Sequence, residues 1–222
     1  MLVQIRVSLP DRPGALGEIG RLTGSLGADI ASLRVLNRSG GRALDDLYLN
    51  VPNPDRIDQV ADAIAALSGV RLHGVRVGGH LPGAHPDLDL VGHVLRNPVH
   101  GLSTLTNMAP IVFGADWAVL KSRRAVVFAM GDCPDPLPEF TPAPGRTTRY
   151  DMGSLHMGIT PLFGGTLLLV IGRDHGPAFH PTEVLQVEKV IELVLAAGAC
   201  AVEPEAAPGF GLDGVETVAE IA

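Results

Sequence analysis

Ser8-Leu9-Pro10-Asp11-Arg12-Pro13-Gly14-Ala15-Leu16 is the stretch on which the reading of the first third of the chain turns. Before it runs Leu2-Val3-Gln4-Ile5-Arg6-Val7, a strand by composition. After it, Ala15, Ile19, Leu22 and Leu26 recur at helical spacing and make one apolar face. Asp11 or Pro13 is the expected helix start: an Asp side chain accepts from free backbone N–H groups, and Pro loses nothing at the first helical position. Gly14 allows close approach of the backbone. The loop thus offers N–H donors at the positive end of a helix, which suits a carboxylate.

The remaining elements of this third follow in order. Asp29 to Arg38 reads as a strand closed by Ser39-Gly40-Gly41, and Arg42 to Val51 as the strand that pairs back. Asn53-Pro54-Asp55 caps a second helix, on which Ile57, Val60, Ala61, Ile64 and Leu67 share a face. Gly69 ends it, and Val70 to Val77 is a fourth strand. The order βαββαβ is the split pattern of ferredoxin-like folds. Asp45-Asp46 lies in the third strand; neighbouring residues there point to opposite faces, so the pair is read as solvated hairpin edge rather than as an acid/base couple.

Motif and element order together resemble an ACT domain, the small amino-acid-sensing module. Asp11-Arg12-Pro13-Gly14-Ala15-Leu16 is similar to that family's loop signature, and Gly27-Ala28-Asp29-Ile30 to its lead into the second strand. Where the family usually has Asn, this chain has Asp29. The resemblance implies side-by-side pairing of two copies, with a ligand held between one subunit's loop and the other's second strand. It places that ligand against Leu9, Asp11, Arg12, Pro13, Gly14, Ala15 and Leu16 of one subunit and Asp29 and Ile30 of the other. Asp11 and Asp29 are acceptors when ionised and suit an ammonium group; with the N–H donors near Gly14 they ask for a free amino acid.

A chain of 222 residues leaves room for a second domain beyond residue 79. Gly and Pro crowd residues 80–87, the expected linker. Asp87 to Arg96 and a restart after Asn97-Pro98 read as helices. Ala115 to Leu120 and Ala125 to Met130 read as strands, the second apolar throughout and so expected to be buried on both faces. Asp132 to Thr148 is a long Pro-rich connection. Leu155 to Leu162 and Thr166 to Gly172 form a hairpin, and Pro181 to Ala197 a strong helix. Pro161-Leu162-Phe163-Gly164-Gly165-Thr166-Leu167, followed by Phe179-His180-Pro181-Thr182-Glu183, resembles a GAF-like domain over 88–199, which implies an antiparallel sheet with helices on one face and a ligand pocket on the other. Residues 200–222 form an acidic tail expected to lack order.

Charge and chemistry narrow the function. The net charge is −7, divided as +1 over residues 1–79 and −8 over 80–222. There is no basic stripe with interleaved aromatics, so no nucleic-acid partner is expected. No apolar run is long enough to span a membrane, and no leader pattern opens the chain. Cys133 and Cys200 lack metal spacing and are expected to be free thiols in a cytoplasmic protein. His80, His85, His93 and His100 show no ligand spacing, so no metal and no cofactor are expected. His156 is expected to be a hydrogen-bonded sheet histidine. Neither Cys133 nor Ser154 sits in a nucleophile turn. Lys121, Arg123 and Arg124 read as a solvated turn or as a small anion or partner patch. The expectation is an α+β, homodimeric, non-catalytic sensor that binds an amino acid and acts on a regulated protein partner. Two readings compete with it: an enzyme with catalysis in residues 88–199 braked by the first domain, and a structural adaptor.

Overall fold

The computed structural model describes residues 1–78, 85–140 and 144–198. The expected acidic tail, Cys200, His80 and most of the expected linker lie outside the described residues. The described chain is mixed α+β, with two antiparallel sheets and five α-helices.

The first sheet holds β1 (Leu2–Pro10), β2 (Asp29–Ser39), β3 (Arg42–Asn50) and β4 (Arg71–Val77), in the order β2-β3-β1-β4. α1 (Ala15–Ser25) and α2 (Ile57–Ala65) cover one face. Alternation decides which residues face them. Val3, Ile5, Val7 and Leu9 of β1 meet Leu47 and Leu49 of β3, Ile19 of α1, and Val60 and Ile64 of α2 in one core. α1 starts at Ala15, later than Asp11 or Pro13. Its cap is Gly14, at φ +89°, and no side chain caps it. Asp11 is drawn instead to Arg38, 3.2 Å away. Asn53 does accept from the N–H of Asp55, at the head of a 3₁₀ turn that leads into α2.

The opposite face of the first sheet carries Gln4, Arg6, Ser8, Asp46, Tyr48 and Arg76, and all of them are buried. The second half of the chain covers them. That half has a sheet of β5 (Trp117–Ser122), β6 (Val126–Met130), β7 (Thr148–Met152), β8 (Leu155–Leu162) and β9 (Leu167–Arg173), in the order β6-β5-β9-β8-β7. α3 (Pro86–Arg96), α4 (Gly101–Phe113) and α5 (Pro181–Ala196) pack on one side of it. On the other side Trp117, Val119, Met157, Ile159, Leu168 and Val170 are covered by Cys133, Leu137 and Phe140. The face that the GAF resemblance leaves for a ligand is therefore filled by side chains from the Pro-rich connection.

The structure departs from the sequence reading twice here. β7 has no counterpart in that reading, which ends the Pro-rich connection at Thr148 and assigns no element from there to Leu155, because a short strand of Thr, Arg, Tyr, Asp and Met carries no apolar period. β6 was expected to be doubly buried, yet every residue from Val126 to Met130 is exposed. A continuous apolar run reads as a central strand, but β6 is a sheet edge, and edge position is not encoded in hydropathy.

Burying the polar face requires partners, which come partly from the first sheet itself and partly from the second half. Arg6 donates from Nε and Nη2 to both oxygens of Asp46, at 2.7 and 2.8 Å. Its Nη2 also lies 2.9 Å from Oε2 of Glu183 on α5. Arg173 donates to the other oxygen of Glu183 at 2.7 Å and to the carbonyls of Gly114 and Pro177. Arg76 is held by Asp116 and by the carbonyls of Gly114 and Ala115. Arg34 reaches Gln186, and the Thr182 hydroxyl donates to the carbonyl of Leu36.

Burial would raise the Glu183 pKa, but Arg173 and Arg6, with the His180 N–H, hold it down to about 2 from an ordinary 4.5. A depressed carboxyl stabilises the fold above its ordinary pKa and loses that contribution as pH falls through the folded value. Wild type should therefore weaken steeply between pH 4.5 and about 2, and Glu183→Ala should flatten that dependence. At neutral pH Glu183→Ala should cost about 3–5 kcal/mol, because it leaves buried arginines short of a counter-charge. Urea titrations across this pH range check both.

A second test concerns the filled face. The Trp117 ring lies on Gly172, and a Cβ there would sit 2.0 Å from it. Gly172→Ala should destabilise by about 2–3 kcal/mol, as overpacking does, readable as a fall in the denaturation midpoint with the tryptophan fluorescence altered.

Candidate functional site

The loop between β1 and α1 is shaped by its two prolines and its glycine. The Asp11 N–H bonds to the Gly41 carbonyl at 2.9 Å, tying the loop to the β2–β3 turn. Gly14 then takes the left-handed conformation that turns the chain into α1. With no side-chain cap, the first turn of α1 keeps its donors. Among the described residues no acceptor bonds the N–H groups of Leu16 or Gly17.

Beneath the loop lies a cavity of about 370 Å³. Leu9, Asp11, Arg12, Pro13, Gly14, Ala15 and Leu16, the seven loop residues named from the sequence, all line it. Asp29 and Ile30 do not: they stand at the far end of β2, opposite Asn50 and Leu49. In a single chain they are separated from the cavity, and only a second copy could bring its own pair to it.

Pro10, Gly17, Val35, Arg38, Ala43 and Asp45 complete the wall, and the sequence reading missed them as site residues. Asp45 matters most. It was read as solvated hairpin edge, and that reading is wrong: Asp45 and Asp46 are each 1% exposed. Asp46 faces the second half of the chain and takes two bonds from Arg6. Asp45 faces the helices, opposite Val7 on β1 and Val35 on β2. Its Oδ1 is buried without a hydrogen-bond partner. Burial raises its pKa, Arg38 lowers it, and Asp46 and Asp11 raise it further. The signal was available, since Asp45 stands in phase with Leu47 and Leu49 on the apolar side of the strand.

The charged residues of the loop are otherwise engaged. Arg12 donates to Glu18 at 2.7 Å and Arg38 lies against Asp11, both pairs exposed to solvent. Such pairs contribute little and exchange readily. The cavity thus has open N–H donors at a helix start, an apolar wall of Leu9, Pro13, Val35 and Ala43, and one buried carboxylate.

Other candidates resolve differently. A larger cavity, about 490 Å³, lies between the first sheet and the ends of α3, α4 and α5. Arg76, Arg173 and Glu183 line it, and all three are already engaged: Arg76 by Asp116 and backbone carbonyls, Arg173 by Glu183 and backbone carbonyls, and Glu183 by Arg173, Arg6 and the His180 N–H. His156 bonds to Asp151 at 2.8 Å across β7 and β8. Burial raises the Cys133 pKa, so it stays a thiol at neutral pH. Ser154 is exposed at the β7–β8 turn. Arg123 and Arg124 sit in the exposed β5–β6 turn, facing Gly164 and Gly165. Among the described residues no three His, Cys, Asp or Glu side chains group as metal ligands, and no helix is long and apolar enough to cross a membrane.

No protein-family model and no curated protein matches this chain. Solved structures with some likeness include the following three. The ACT domain from GTP pyrophosphokinase of Chlorobium tepidum is 22% identical over 38% of this chain and 93% of its own, with a TM-score of 0.30. A formyltetrahydrofolate deformylase from Pseudomonas putida KT2440 is 14% identical over 43% of this chain and 38% of its own, with a TM-score of 0.28. A protein from Galdieria sulphuraria is 15% identical over 88% of this chain and 90% of its own, with a TM-score of 0.32. With every TM-score below 0.5, none of these carries weight against the geometry of the site.

The loop itself can be tested apart from any ligand. A Cβ at Gly14 would meet nothing within 4 Å, so only the backbone resists it. Gly14→Ala should cost about 1–2 kcal/mol, the penalty of a left-handed L-residue, with no change in the packing of α1. Chemical denaturation, read beside unchanged far-UV circular dichroism, measures it.

Proposed function

We propose that this protein is a non-catalytic regulator that binds a free amino acid in the cavity under the Asp11–Gly17 loop. The observation that carries the reading is the joining of opposite chemistries in one amphiphilic cavity: unbonded N–H groups at the start of α1 and an unpartnered carboxylate below. A zwitterion meets both demands, since helix N-termini favour carboxylates and ionised carboxyls accept from ammonium groups. The ACT-like loop signature, the βαββαβ order and the sheet order β2-β3-β1-β4 support an ACT-type module over residues 1–79. The five-stranded sheet over 88–199, with three helices on one side, supports a GAF-like partner module, joined through residues 80–87. Its opposite face is filled by Trp117 and its neighbours, which favours a role in docking over one in ligand binding.

In this reading two copies pair, and the second contributes Asp29 and Ile30 at the mouth of the cavity. The test is a thermal-shift screen of the twenty amino acids at millimolar concentration, with mass by light scattering at micromolar protein. A ligand at one hundred times its dissociation constant adds about 2.7 kcal/mol, which moves the transition of a chain this size by roughly 5–10 °C. At least one amino acid should do so, on a dimer. No shift from any of the twenty would remove the function from this cavity, and a monomer would remove Asp29 and Ile30 from the site.

A further inference from the structure

Asp45 is an anomaly within the first core. Its neighbours across the ladder are Val7 and Val35, and the next residues on its own face are Ala43 and Leu47. An apolar residue there would complete the pattern of the strand. The carboxylate is 1% exposed, and among the described residues neither a hydrogen bond nor an ion pair reaches it. Buried polar groups in folded proteins are overwhelmingly bonded, and an ionised one left alone costs far more than a neutral one. Asp46, equally buried one residue away, shows the ordinary solution: it takes two bonds from Arg6. A buried carboxylate that opens on a cavity and has no partner calls for an explanation, and a bound partner is one.

The surroundings say what kind of partner. Arg38 on β2 attracts Asp45 from the rim but is itself turned to Asp11 in solvent. Asp11 on the loop and Asp46 on the same strand add negative charge. β1 presents Val7 and Leu9, and α1 presents Ala15 and Leu16, which carry no charge. The inner end of the cavity is therefore negative and apolar-walled, and it lacks a donor. We infer that Asp45 is the residue that selects the ligand, by accepting a primary ammonium group at the inner end of the cavity, so that the site takes amines and rejects their des-amino counterparts. This rests on the reading of the cavity as an amino-acid site and deepens it. The ammonium can be the one beside the ligand's carboxylate or one at the end of its side chain. The chemistry is the same, and the compounds below separate the two.

The probes are L-lysine, L-norleucine, 6-aminohexanoate and hexanoate, titrated calorimetrically into full-length wild type, Asp45→Asn and Asp45→Leu. Norleucine carries only the ammonium beside the carboxylate, 6-aminohexanoate only the distal one, lysine both and hexanoate neither. At least one of the three amines should bind wild type at millimolar concentration or better, and hexanoate should bind at least about ten-fold more weakly. Asp45→Asn should weaken amine binding by about ten-fold or more, the scale set by losing a charge-assisted hydrogen bond, while leaving hexanoate unchanged. Without ligand, Asp45→Leu should melt at a higher temperature than wild type, because a binding carboxylate is a burden on the free protein. Amine binding untouched by Asp45→Asn would overturn the assignment and leave the amino-acid reading standing. Equal binding of hexanoate, or no binding by any of the amines, overturns the assignment as well. A lower melting temperature for Asp45→Leu also overturns it, since the carboxylate would then be serving α1 or the loop. A wild type that responds to none of the twenty amino acids removes the site itself, which is a different failure.

Discussion

One carboxylate, Glu183, is shared between two arginines that come from different sheets. Arg6 projects from the centre of the first sheet and Arg173 from the end of β9, and each takes one oxygen. The cost of burying three charges is several kcal/mol per ion, and their attraction offsets it only when the remaining hydrogen-bonding groups are satisfied. Here they are. Arg6 is completed by Asp46 and by the Ala178 carbonyl at 2.6 Å, and Arg173 by three carbonyls and the ring of Phe179 at 4.0 Å. Glu183 also accepts from the His180 N–H at 2.7 Å, as part of the capping box that begins α5. The same residue therefore starts a helix and joins the two halves of the chain. Losing it would leave Arg6 and Arg173 without the counter-charge they share across the join.

This dependence explains what the sequence could and could not reveal. The elements of the first sheet were legible because each has a period: two along the strands, three and four along the helices, with Gly and Pro between them. The face that binds the second half was not. Gln4, Arg6, Ser8 and Tyr48 alternate with apolar residues as on any strand with one side in water. Only tertiary contact tells a solvated polar face from one buried against partners far along the chain, as Arg6 is against Glu183. β6 fails in the mirror sense, for an apolar run looks buried wherever it stands. β7 is short and polar, and it exists because β8 offers it an edge.

The candidate site divides along the same line. The loop residues from Leu9 to Leu16 were legible because turn chemistry is local: Pro, Gly and Asp at fixed offsets define where a strand ends and a helix begins. The far wall is not local. Val35, Arg38, Ala43 and Asp45 reach the loop through the pairing of β1 with β3 and of β3 with β2. Only register brings them there. The expectation that Asp11 would cap α1 failed because a stronger local option existed. Gly14 turns the backbone without a side chain, and Asp11 finds Arg38 across the turn.

Asp45 and Asp46 make the clearest case for register as the organising constraint. They are adjacent, chemically identical and equally buried, so neither composition nor burial separates them. What separates them is which face each meets. A slip of one residue in β3 would exchange the faces of every side chain on the strand. Asp46 would enter the apolar core, Leu47 and Leu49 would meet the arginines, and Arg6 would lose both of its bonds to Asp46. Arg6 is buried and its guanidinium is always charged, so that loss would leave it with Glu183 and the Ala178 carbonyl and no second counter-charge. The Arg6–Asp46 pair thus holds the strand in the one register that keeps Leu47 and Leu49 in the core, and that register carries Asp45 to the cavity. A carboxylate without a partner persists there because its neighbour's partner fixes the strand that bears them both.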